Sequence, residues 1–286
     1  MAASTPSPPA IRACLFDMDG LLLNTEDIYT DCTNFVLRKY GKPDLPWNIK
    51  AQLQGRPAPA AGKILEDWAQ LPISREEYME DVKAMQVKLF PNSKPLPGVE
   101  ELLAKLGGAK TEGGASEKIE MALATSSHSS NFKLKSSHLG HLFDVFPKDS
   151  QVLGDDPRIA PGRGKPAPDI YLLALQTINT RRAAQNLTPI APAECLVFED
   201  SVPGVESGRR AGMQVVWCPH EGLLNEYKGR EDKVLAAQMG EFTPINGSEV
   251  DGAATQDGKV GEIGDGWARQ YGSLEAFPYK DYGILV

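Results

Sequence analysis

The chain has 286 residues, 41% of them hydrophobic and 24% charged, with 30 basic against 38 acidic side chains and a formal charge of −8. This is the composition of an ordinary globular protein with enough chain for a substantial core. No basic block marks a nucleic-acid or anionic-membrane surface, and no apolar run reaches the length of a bilayer span.

The first ten residues, Met1–Ala10, are rich in Ser, Pro and Ala and lack the basic-then-apolar order of a secretory signal. They are expected to form a disordered tail. Four cysteines (Cys14, Cys32, Cys195, Cys218) are too few for a disulfide framework in so long a chain. They point to a reducing compartment, with the cytoplasm expected and the nucleus left open.

Five short runs have the composition of strands: Ile11–Phe16, Ile119–Ala124, Leu142–Phe146, Cys195–Phe198 and Met213–Cys218. The second, fourth and fifth are mostly apolar, as strands covered on both faces should be. Helix-length stretches lie between them at Pro97–Leu106, Pro168–Gln176 and Val202–Ala211. This alternation predicts an α/β fold, a Rossmann-like parallel sheet between two helical layers.

Residues 26–95 interrupt the alternation with helix after helix. Glu26–Tyr40 places Ile28, Cys32, Phe35 and Val36 on one face. Ser74–Phe90 does the same with Tyr78, Val82, Met85 and Leu89, and opens on a capping box, Ser74-x-x-Glu77. Such an insertion after the first strand predicts an all-helical cap above the carboxyl ends of the strands, where open α/β sheets bind ligands. The expected division is core at 11–25 and 96–235, cap at 26–95 and a C-terminal extension at 236–286. Gly107–Lys118 and Phe242–Gly266 read as loops, the latter as a mobile one. Leu274–Val286, with Phe277, Tyr279 and Tyr282, is expected to dock on the core.

The first strand ends in Asp17-Met18-Asp19-Gly20. Acids at i and i+2 leave a strand on the same side. A calcium loop does not fit, because Leu21–Leu23 follow where more oxygen ligands would be required. The fourth run ends in Glu199-Asp200-Ser201, which alone reads as a helix N-cap. If the two strands are neighbours, four acids converge, and like charges about 4 Å apart repel by about 4 kcal/mol at an effective dielectric near 20. Such a cluster calls for a hard cation, and carboxylate oxygens without His or Cys suggest Mg²⁺. The second run ends in Thr125-Ser126-Ser127, whose hydroxyls and amides suit phosphate, or simply a helix cap. Lys165, in Gly164-Lys165-Pro166, would bring a positive charge to the same crevice.

In this order, Asp-x-Asp-Gly, a strand-terminal Thr/Ser, a Lys and an acidic pair, the chain resembles the haloacid dehalogenase superfamily of aspartate-nucleophile phosphotransferases. The resemblance implies that Asp17 is the nucleophile and Asp19 the acid/base. It implies that Thr125 and the Ser126 amide hold the phosphoryl oxygens, and that Lys165 offsets their charge. Mg²⁺ would be held by Asp17, the Asp19 backbone carbonyl, Glu199 and Asp200. Because a second aspartate is present to protonate a leaving alkoxide, the resemblance is to the phosphatase members. The cap position is similar to that of the helical-cap group; its mutases carry a His where this chain has Tyr29 and an Arg three residues past the cap-loop Gly, where this chain has Ala58.

Within that group Phe16–Leu23, Leu123–Ser127, Val152–Pro157, Gly164–Tyr171, Cys195–Glu206 and Ala211–Val216 are similar to the pseudouridine-5′-phosphatases. That implies a monomer acting on a small phosphorylated metabolite, that nucleotide or a related sugar or polyol phosphate. Gly55 and Arg56 of the cap loop, with Lys63, are expected to meet the leaving group. Departures are Asn24 where Asp is usual, expected still to cap the next helix, and the segments 107–118 and 242–266, expected to lie away from the crevice. Two further readings remain, a phospho-accepting signalling module and an inactive binding module on the same fold.

Overall fold

The computed structural model describes residues 8–56, 58–112, 117–242 and 258–286. Residues 1–7 of the tail expected at 1–10, 113–116 of the loop expected at 107–118 and 243–257 of the loop expected at 242–266 fall outside them, while Pro9 of the expected tail is held on the core, its carbonyl accepting from Gln214 Nε2.

Strand β1 (Ala13–Phe16) leads into four helices, α1 (Thr25–Lys39), α2 (Trp47–Leu53), α3 (Ala58–Ala69) and α4 (Arg75–Leu89). Then come α5 (Val99–Gly108), β2 (Lys110–Thr111), β3 (Glu120–Ala124), α6 (Ser129–Ser136), α7 (Gly140–Phe143) and β4 (Gln151–Val152). The remainder is α8 (Asp169–Ala184), β5 (Cys195–Glu199), α9 (Val202–Arg210), β6 (Gln214–Trp217), α10 (Glu221–Glu226), α11 (Glu231–Leu235), β7 (Ala268–Gln270) and β8 (Ile284–Leu285).

Among the described residues six strands form one parallel sheet in the order β4-β3-β1-β5-β6-β7. β1 is central, and its side chains divide between the two faces as a period of two requires. Cys14 and Phe16 join Val99, Leu102 and Leu106 of α5 on one side. Ala13 and Leu15 join Ile170 and Ile178 of α8 and Val205 of α9 on the other. The expected three-layer α/β core is present.

Helices α1–α4 follow β1 and carry two apolar clusters of their own, one around Cys32, Val36 and Val82, the other around Leu37, Leu65 and Ala69. The capping box forms as the spacing predicts: Glu77 N donates to Ser74 Oγ, and Ser74 N to Glu77 Oε2. Phe35 does not join the apolar face and is 47% exposed. α1 packs on two sides, so Leu37 is drawn in and the helix turns Phe35 outward. Nor does the Asn24 side chain cap α1. Its Oδ1 accepts from Lys94 N at 2.8 Å while its own N–H donates to Lys94 O, clasping together the two chain segments that bound the insertion.

The strand expected at Leu142–Phe146 is instead the end of α7 and a turn. Leu139, Leu142, Phe143 and Phe146 are all buried, at i, i+3, i+4 and i+7, the helical spacing. The strand of this region is the two-residue β4, too short to show any alternation.

The C-terminal residues dock as expected. Phe277 stacks on Tyr282 with ring centroids 5.2 Å apart and lies 5.3 Å from Phe198. β7 adds the sixth strand beside β6, and β8 pairs antiparallel with β2, so the segment expected to be a loop at Gly107–Lys118 contributes a strand. Residues 258–266 are tied down: Gly261 N donates to Ala236 O and Arg209 pairs with Asp265. Among the described residues no helix is long and apolar enough to cross a membrane.

Candidate active site

The parallel register of β1 and β5 sets Phe16 opposite Phe198, so the residues that follow, Asp17 and Glu199, emerge side by side at the carboxyl edge of the sheet. The backbone confirms the continuation, with Asp17 N donating to Phe198 O at 3.0 Å. Asp17, Glu199 and Asp200 are buried, and one oxygen from each lies within 4.8 Å of the others. Lys165 reaches the same point from the loop before α8. Its Nζ is 2.5 Å from Asp17 Oδ1, 2.6 Å from Glu199 Oε1 and 3.1 Å from Ala124 O at the end of β3. Four chain segments far apart in sequence thus meet around one ammonium group.

The charges there are out of balance. Burial pushes the Asp17 carboxyl up to about 7; Lys165 pulls the other way, and Glu199 and Asp19 add to the rise. Burial raises Asp200 well above the carboxylate range, reinforced by Glu26, Glu199 and Asp17. Burial works against charge on Lys165, yet Asp17 and Glu199 more than offset it and its pKa is raised. One lysine faces three buried carboxylates, a donor set of hard oxygens with an excess of negative charge, which fits a hard divalent cation.

Glu199 is the most firmly held of the three. Tyr171 Oη donates to its Oε1 at 2.5 Å, and the amides of Asp200 and Ser201 and the Ser201 hydroxyl converge on Oε2 at 3.1–3.3 Å. Glycines make room for these acids. A Cβ on Gly204 would lie 2.0 Å from the Glu199 carboxyl carbon. A Cβ on Gly20, whose φ is +77°, would lie 2.1 Å from Asp200 Oδ2 and 2.6 Å from Glu26 Cγ. Gly204→Ala is therefore expected to displace Glu199, lowering stability by about 1–3 kcal/mol. It should also lower catalytic efficiency about a hundredfold, the scale of an ångström-sized misplacement. Thermal denaturation and steady-state kinetics check both.

The strand-terminal hydroxyls lie where the sequence predicts. Thr125 is buried, its N–H donating to Val152 O and its Oγ1 accepting from Ser127 N at 3.1 Å. Ser126 is half-buried beside Gly154, where a Cβ would lie 2.1 Å from the Ser126 carbonyl oxygen. The Asp19 carboxylate does not join the three acids. Its Oδ1 accepts from Thr25 Oγ1 at 2.5 Å and Lys135 Nζ at 2.6 Å, its Oδ2 from Ser127 Oγ at 2.6 Å. Burial opposes its charge, but Lys135 and the two hydroxyls hold its pKa below the usual range.

The cap loop behaves differently from expectation. Gly55, φ +75°, packs against Ser201. Arg56 pairs with Glu241 and donates to Gln52 O, while Lys63 pairs with Asp67 on the surface. The residue of this loop that reaches the acids is Gln54, whose Nε2 donates to Asp200 Oδ2. Glu241 also places the start of the C-terminal stretch against the cap loop, and its N–H and that of Phe242 donate to the buried Glu206. The site residues that sequence reading passed over are Gln54, Lys135, Tyr29 and Tyr171. Gln54 and Tyr171 had a signal, standing next to Gly55 and six residues after Lys165, as did Tyr29, which stands where the mutases carry a His; Lys135 had none.

A family model described as "haloacid dehalogenase-like hydrolase" matches residues 11–212. A probable pseudouridine-5′-phosphatase of Saccharomyces cerevisiae is 47% identical over 213 residues, covering 74% of this chain and 84% of its own. A mitochondrial (DL)-glycerol-3-phosphatase of Arabidopsis thaliana is 35% identical, covering 82% of this chain and 72% of its own. Among solved structures, a putative β-phosphoglucomutase from Thermotoga maritima superposes with a TM-score of 0.52 at 29% identity, over 79% of this chain and 97% of that one. Both of these curated relatives carry phosphatase names, which favours the enzymatic reading over the signalling and binding-module alternatives. The chain belongs to the haloacid dehalogenase-like hydrolases, as a phosphatase of that family.

Proposed function

We propose that the protein hydrolyses a small phosphomonoester through an aspartyl-phosphate formed on Asp17. The observation that carries this reading is the Lys165 ammonium, bound at once to Asp17 and Glu199 within a buried three-acid cluster. An Asp17 oxygen forms a bond to phosphorus as the ester oxygen leaves, and Asp19 gives that oxygen its proton. Asp19 then takes a proton from water, the water oxygen attacks phosphorus, and the Asp17–phosphorus bond breaks, releasing phosphate. Thr125 and the Ser126 amide bind the phosphoryl oxygens, and Lys165 balances the charge that gathers between them and Asp17.

Asp17, Asp200, the Asp19 backbone carbonyl and Glu199 are the groups that would hold Mg²⁺. Bound there, the ion supplies positive charge that orients and polarises the phosphoryl group. The helices of residues 26–95 act as a cap that excludes water and presents Gln54 to the leaving group. The substrate is pseudouridine 5′-phosphate or a related sugar or polyol phosphate, a choice supported by the names of the relatives.

The test is phosphate release from a panel of nucleotide, sugar and polyol monophosphates with Mg²⁺ and with EDTA. Release from one class, abolished by EDTA and restored by Mg²⁺, is the expected result. No release from any monoester, or release indifferent to EDTA, contradicts the reading.

A further inference from the structure

Lys135 stands in the last turn of α6, where its sequence position suggests a solvated charge, yet its side chain is fully buried. The ammonium donates to Asp19 Oδ1 at 2.6 Å, Tyr29 Oη at 2.7 Å and Ser127 Oγ at 2.8 Å. A lysine has three N–H groups, so these acceptors use all of them and leave none for a ligand. The rings of Tyr29 and Phe90, with centroids 4.4 and 4.6 Å from the nitrogen, cover it further. Ser127 accepts from Lys135 and donates to Asp19 Oδ2 at 2.6 Å, which closes a ring of three side chains, Lys135, Ser127 and Asp19.

Burying an ammonium is costly, and packing alone is met as well by an apolar side chain of the same length. What the lysine provides that an apolar residue cannot is a fixed, charged hold on Asp19. We propose that Lys135, braced by Tyr29, is a positioning residue for the phosphatase reaction: it sets where the Asp19 carboxylate lies while touching neither substrate nor metal. The proposal rests on the reading of Asp19 as the acid/base. The hold is assembled from both parts of the molecule, since Thr25 and Tyr29 belong to α1 whereas Ser127 and Lys135 lie in and before α6. Asp19 is thereby aligned where the helical insertion meets the sheet.

The test uses p-nitrophenyl phosphate, whose phenolate leaves without needing a proton, beside an alkyl phosphate that does need one. With Asp19 misplaced, the first bond still breaks with the aryl ester, but the water step stalls. Lys135→Met is expected to show a rapid burst approaching one equivalent of p-nitrophenolate, then a steady rate lowered about 10²-fold, within the range of general acid–base catalysis. With the alkyl ester kcat falls without a burst, and KM is little changed for either. Lys135→Arg should recover part of the rate, and Tyr29→Phe should show the same pattern more weakly.

Asp19→Asn is the reference. A burst in Asp19→Asn with parental kinetics, or a raised KM at unchanged kcat, in Lys135→Met overturns the role of Lys135 and leaves that of Asp19 standing. No burst in either variant overturns the reading of Asp19 and the proposal with it. If Lys135→Met does not fold, Tyr29→Phe decides: it removes one oxygen from a half-buried ring, and kinetics equal to the parent's overturn the proposal.

Discussion

Asp17→Asn is expected to abolish turnover while leaving the fold intact. Asp17 is 6% exposed, held by Lys165 and flanked by two other buried acids. Asparagine has nearly the same shape, so packing is kept. It offers a neutral amide in place of a nucleophilic oxygen, and it removes one of three crowded, buried acids from a cluster that holds a single lysine. The metal-free variant should therefore denature at the parental temperature or above it. Its kcat should fall by at least about 10⁴-fold, the scale on which loss of a catalytic nucleophile or its partner acts. Phosphate release at saturating Mg²⁺, paired with thermal denaturation in EDTA, separates the two effects. Turnover within a few-fold of the parent would exclude the covalent route.

Lys165→Met has the second largest expected effect, and there the two readouts move together. Lys165 is 1% exposed and makes ion pairs with both Asp17 and Glu199. Removing one partner from a buried ion-pair network leaves uncompensated charge, at a cost of about 3–5 kcal/mol. Loss of an electrostatic contact to the reacting phosphoryl group costs about 10²–10³-fold in kcat. Because the unbalanced carboxylates would then attract a divalent cation more strongly, added Mg²⁺ should recover much of the lost melting temperature and little of the lost rate. Stability indifferent to Mg²⁺ would argue against a cation at these acids. A rate lowered only a few-fold would make Lys165 a bystander.

Much of this site was legible because its signals are local. Asp17 and Asp19 directly follow an apolar strand, Glu199 ends another and Thr125 follows a third, so predicting the strands also predicted which edge gathers these side chains. Residues whose roles depend on a distant partner were not legible. Lys135 is an ordinary helical lysine until α6 is packed beside Asp19 and Tyr29. Arg56 reads as a ligand contact until Glu241, 185 residues away, is found bound to it. The misread strand at 142–146 has a related origin: Leu142, Phe143 and Phe146 satisfy a helical stripe with Leu139 and also look like a short apolar run.

By itself the amino-acid order determined the α/β core, the helical insertion, the docking of the C-terminal aromatics and the acids at the strand ends. These follow from periodicity and from where polar residues interrupt apolar runs, both properties of neighbouring positions. Tertiary structure alone decided what holds each acid, Asp17 and Glu199 on Lys165, Asp19 on Lys135 and Asp200 on Gln54, and drew a sixth strand from the C-terminal segment. Burial and long-range ion pairing depend on distances in space, and residues far apart along the chain carry no record of them.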